Sequence, residues 1–102
     1  MFSGGTYQEV ARWLWNFLIA HAKRVDPRIE VVLDVEDARE GKSYGARLSF
    51  LRHLGAPVEF EFREVADNRG SLVWCSALAE RTKSLARELV AATRGAADVR
   101  TP

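Results

Sequence analysis

Cysteine, histidine and unbalanced charge are what this chain of 102 residues lacks, and each shortage removes a class of function. With Cys75 alone, no intramolecular disulfide and no cysteine-built metal site can form. His21 and His53 are the only histidines, and nothing in their spacing gathers them with carboxylates into a ligand set, so no metal or other cofactor is expected. Fifteen Lys and Arg against fourteen Asp and Glu leave a net charge of +1. No global field therefore draws the chain to DNA, RNA or an anionic membrane. Long hydrophobic runs are missing too. The best stretch, Trp13 to Ala22, is interrupted by Asn16 and His21 and is too short and too polar to span a bilayer. The opening MFSGGT carries neither the basic residues nor the cleavage site of a secretory signal. A soluble cytoplasmic protein with no membrane partner is the expectation. Catalytic signatures are equally scarce: there is no GxSxG elbow, no Walker loop and no GxGxxG following a strand.

What is present suits one ordinary core. A chain 47% hydrophobic and 28% charged buries enough for a single domain over 1–102, with loose ends expected at 1–5 and 95–102. Thr6-Tyr7-Gln8-Glu9 reads as a capping box, and the helix it opens should stop near Val25 because Pro27 disfavours a helical Asp26. Its apolar stripe is Tyr7, Val10, Ala11, Leu14, Phe17, Leu18, His21 and Val25. RIEVVLDVE alternates as a half-buried strand, DAREGKS is a charged hairpin loop, and YGARLSFL places Tyr44, Ala46, Leu48 and Phe50 on one face. After the loop RHLGAP, VEFEFREV alternates Val58, Phe60 and Phe62 against Glu59, Glu61 and Arg63, and ADNRG has the composition of a turn. Leu72 to Cys75 reads either as a short fourth strand or as the start of the last helix, which is secure from Ala77 to a terminating Gly95. The order is α-β-β-β-(β)-α. It predicts an α+β fold: an antiparallel meander sheet of three or four strands with two helices packed on one face.

Three groups of residues are candidates for function. The first helix carries apolar residues over roughly two-thirds of its circumference, whereas a helix lying on one sheet face needs a stripe little more than about 100° wide. Trp13 lies on one shoulder, Trp15 and Ile19 on the other. Together with Trp74 they form a candidate interface, which predicts a non-enzymatic interaction or assembly module that homodimerises. A groove for an apolar small molecule between helices and sheet is an alternative. The second candidate is nucleic-acid contact by Arg81, Lys83 and Arg87, diluted by Glu80 and Glu88. The element order is shared with some RNA-binding domains, but the last helix opens SLVWCSALAERTK, with no basic cluster, and aromatics fall on the core side of the sheet. The third is an enzymatic or ligand site near His53 and the outward carboxylates Glu30, Asp34, Glu59 and Glu61. Cross-strand ion pairing accounts for those charges equally well, and no catalytic residue is singled out.

Overall fold

Thr6 caps the first helix as the sequence predicts. In the computed structural model of the protein, which describes residues 5–35 and 39–99, the Glu9 N–H donates to Thr6 Oγ1 at 3.1 Å. The Thr6 N–H returns to Glu9 Oε1 at 2.9 Å. Helix α1 (Tyr7–Val25) ends where Asp26 turns extended. The Asp26 carboxylate accepts the Arg28 backbone N–H and both arms of its guanidinium, which holds its pKa down at about 2.

Strands β1 (Ile29–Asp34) and β2 (Ser43–Phe50) pair antiparallel, from Ile29 opposite Phe50 to Asp34 opposite Gly45. On its other side β2 takes two short partners, β3 (His53–Leu54) and β4 (Val58–Glu61). Leu54 lies opposite Ser49 and Val58 opposite Ala46, so Gly55, Ala56 and Pro57 stand against only Arg47 and Leu48. β3 and β4 are thus one strand interrupted by a bulge. Pro57 has no N–H to give the ladder, and the Gly55 N–H still reaches the Leu48 carbonyl at 2.7 Å. The hairpin between β2 and β3 turns through Leu51 and Arg52, with Leu51 at φ 59°, a conformation that costs a non-glycine residue about 1–2 kcal/mol.

The α+β class and the antiparallel sheet stand as the sequence predicts, three boundaries are corrected, and of the two alternatives for Leu72–Cys75 the structure takes the helix. The fourth strand exists, but it is His53–Leu54, inside what reads as the loop RHLGAP; Leu72 to Cys75 is helical. VEFEFREV is a strand only to Glu61, and α2 (Phe62–Asn68) takes up its second half together with most of ADNRG. Phe62, Val65, Ala66 and Arg69 are spaced i, i+3, i+4, i+7, so Phe62 satisfies the strand pattern behind it and the helix pattern ahead. Helix α3 (Leu72–Val99) begins five residues before Ala77. Ser71 is its cap, accepting the Trp74 N–H at 3.2 Å on Oγ and the Cys75 N–H at 2.9 Å on its carbonyl. Gly95 does not end the helix, which continues to Val99. Of the expected loose ends, 1–4 and 100–102 lie outside the described residues.

Both long helices cover the same sheet face, α1 over β1 and α3 over β2. They run side by side in the same direction, Trp13 meeting Trp74 near their starts. Val10, Leu14, Ile29, Tyr44, Phe50 and Val65 are fully enclosed between the layers. Tyr7 and Tyr44 stack at 4.6 Å, with Phe62 edge-on to both. The Tyr44 hydroxyl donates to the Tyr7 carbonyl at 2.8 Å, and the Tyr7 hydroxyl donates to the carbonyl of Ser43.

Candidate functional site

Two helices cover two strand positions, and the sheet is three wide. The long helices lie over β1 and β2, and a groove of about 300 Å³ opens between α3 and the β3–β4 edge, lined there by half-buried Val58 and buried Phe60. Its floor is Leu18, Leu48, Val58, Phe60, Leu78 and Leu89, and the bulge residues Gly55 and Ala56 form part of its wall. Leu85, Ala92, Arg81 and Glu88 line it from α3. Thr82, also lining it, donates its hydroxyl to the Leu78 carbonyl at 2.7 Å, so its polar atom is satisfied within the helix. Arg81 and Glu88 make no ion pair among the described residues, which leaves each available at the groove.

The opposite sheet face is polar and held by one residue the sequence does not single out. Arg39 lies over Gly45, whose absent side chain makes the space: a Cβ there would stand 3.0 Å from the guanidinium. Gly45 faces Asp34 on β1 and Glu59 on β4, and Arg39 bonds both, at 3.2 Å to Asp34 and at 2.6 and 3.0 Å to Glu59. The hydrogen bonds from Arg39 hold the Glu59 carboxyl below its ordinary value of 4.5. A depressed carboxylate pKa contributes stability above the unfolded value and loses it as pH falls. Urea melts of wild type and Arg39→Ala should therefore differ most near neutrality and converge as pH drops through the carboxylate range; a gap that ignores pH contradicts this. The signal for the clamp was a glycine at mid-strand with an arginine in the preceding loop.

The remaining candidates scatter. Trp13 is half-buried, stacked on Phe17 at 5.1 Å and against Trp74 at 6.3 Å, and the Trp74 indole N–H donates to Glu64 at 3.3 Å. Ile19 packs partly buried against the core. Trp15 donates its indole N–H to the Val31 carbonyl at 3.0 Å and keeps 42% of its surface exposed. Lys83 pairs with Glu80 at 3.0 Å, and Arg81 lies about 200° around α3 from Lys83, so Arg81, Lys83 and Arg87 do not share one face. His53 is exposed at the hairpin, its backbone paired with Phe50 and its ring without a hydrogen bond to any described residue. His21 tilts against Phe17 at 4.5 Å, and burial, helped by Arg24 and Lys83, holds its pKa below 6.5. Burial raises the Cys75 thiol pKa while its S–H donates to the Arg69 carbonyl, the opposite of an activated nucleophile.

No protein-family pattern matches the chain, and no curated protein or solved structure matches it. Among the described residues no cluster of three or more His, Cys, Asp or Glu is placed to hold a metal, and no helix is long and apolar enough to cross a membrane.

Proposed function

We propose that this protein is a non-enzymatic docking module whose binding site is the groove between α3 and the β3–β4 edge. The observation that carries the reading is an apolar, open groove beside β4, at the lower end of the roughly 300–1,000 Å³ that ligand sites occupy. A groove of that size accepts a narrow apolar group, with Arg81 and Glu88 available to orient a polar end. The engagement of Asp34 and Glu59 by Arg39 supports docking over acid–base chemistry on the sheet.

Titration with an anilinonaphthalene sulfonate dye tests it. Wild type should enhance the dye's fluorescence, while Ala56→Trp and Ala92→Trp, two exposed positions on the groove, should each weaken binding by about tenfold, equivalent to 1.4 kcal/mol. Unchanged thermal melts confirm that the fold is kept. Equal binding by all three proteins overturns the assignment.

Self-association through the shoulder of α1 is a second reading, supported by the exposed surface that Trp15 retains beside Ile19. Light scattering should then find a dimer in wild type and a monomer in Trp15→Glu. A wild-type monomer at high micromolar concentration removes it.

A further inference from the structure

The groove has a second property that its volume does not describe: it follows a strand with one edge unpaired. Among the described residues β4 pairs with β2 alone. The Phe62 N–H donates to the Lys42 carbonyl, which sets the phase of the antiparallel ladder, so Phe60 and Val58 direct their backbone groups toward β2. By the same alternation, the N–H and C=O of Glu59 and the N–H of Glu61 point away from the sheet, with no backbone partner among the described residues.

Resting on the docking reading, we infer that the occupant is an extended peptide that adds to the β4 edge as a further strand, with apolar and basic side chains in alternation. Three observations converge on it. First, the groove is long: α3 lines it from Leu78 to Ala92, about 21 Å at 1.5 Å per residue, the length of roughly six extended residues. Second, side chains of an added strand alternate in register with β4. Those beside Val58 and Phe60 enter the apolar groove, and those beside Glu59 and Glu61 stand on the outer face. Third, the two β4 residues on that outer face are acidic. Glu61 is exposed without an ion-pair partner among the described residues, and the Glu59 side chain remains 61% exposed despite Arg39. Lysine or arginine answers both carboxylates. A small apolar molecule would fill the groove and leave the edge amides unpaired.

A second copy of the chain fits less well. Pairing two β4 edges about a two-fold axis sets Glu59 and Glu61 against the same two residues, and like charges directly opposite are destabilising. The β1 edge of another copy is obstructed as well, because the alternation across β2 leaves the Val31 carbonyl on the outer side of β1, where Trp15 already binds it.

The test uses the full chain labelled with ¹⁵N and a pool of capped hexapeptides, with lysine at alternate positions and valine, leucine, isoleucine or phenylalanine between. The amides of Glu59 and Glu61 should shift and exchange more slowly on addition of the pool. N-methylation of the peptide at alternate residues should weaken binding by about tenfold in one of the two phasings and not in the other. Glu61→Lys should weaken it while leaving dye binding intact. Dye binding without peptide binding, or equal binding by both N-methylated forms, overturns strand addition and leaves the docking groove standing. Failure of both dye and peptide overturns the docking reading as well. Concentration-dependent dimerisation that shifts the same two amides replaces the peptide with a second copy and overturns this inference.

Discussion

Tyr44→Ala should lower the stability of the fold by about 3–5 kcal/mol, a large share of the roughly 5–15 kcal/mol that holds a domain together. Tyr44 has no solvent exposure, stacks on Tyr7, and meets the edge of Phe62, so its removal opens a cavity where α1, β2 and α2 meet. Neighbours fixed in two helices and a strand cannot collapse far into the space. Tyr44→Phe keeps the ring and loses only the hydrogen bond to the Tyr7 carbonyl, a cost of about 1 kcal/mol. Chemical denaturation of the two variants separates packing from hydrogen bonding; equal losses would show that the hydroxyl, not the ring, is what matters. The same burial raises the pKa of Tyr44, and of Tyr7, above the ordinary value of 10.0. A raised phenol pKa contributes stability below the unfolded value and loses it above, so the melting point of wild type should fall as pH climbs past 10.0.

Leu89→Ala should show stability and binding moving in opposite directions. Leu89 is 8% exposed, shared between the core and the groove, with a methyl 3.9 Å from where a Cβ on Gly55 would stand. A truncation in a closed core leaves an empty cavity; here the space joins an open groove. The cost should therefore fall near the low end for a leucine truncation, about 2 kcal/mol. The widened groove should then bind a bulkier dye, such as a bis-anilinonaphthalene sulfonate, more tightly than wild type does. Denaturant melts and dye titration on the same preparation check both halves. Weaker binding of the bulkier dye would place the site elsewhere.

How much of this was legible depended on whether a residue had one role or two. Thr6 and Glu9 announce α1 because the capping box is local, and Ile29, Val31, Tyr44, Ala46, Leu48 and Phe50 show their face because alternation needs only neighbours in the chain. Phe62 belongs to two periods at once and concealed α2. Leu72 and Val73 are 85% and 82% exposed, so their strand preference met no packing that would express it, and the cap at Ser71 decided for helix. Gly95 has open space around it, and nothing in its surroundings requires the chain to turn there. The candidate site was the least legible part. The groove depends on a helix lying over β2 rather than β4, and the Arg39 clamp on a side chain crossing three strands. Both are long-range facts. Trp13 and Trp74 read as members of one candidate interface, but that they cover each other was not legible, because their contact joins residues 61 positions apart.

The indole of Trp15 on the Val31 carbonyl has a consequence for valency. A sheet with two receptive borders can be extended from both, and repetition of that step gives a fibre. Here one border is stoppered from within the chain and the other is shortened by a bulge and lined with glutamates. Under the proposed strand addition the sheet is therefore monovalent: a peptide joining at β4 would terminate the growth, and a complex of fixed size, in place of a polymer, is the expected result.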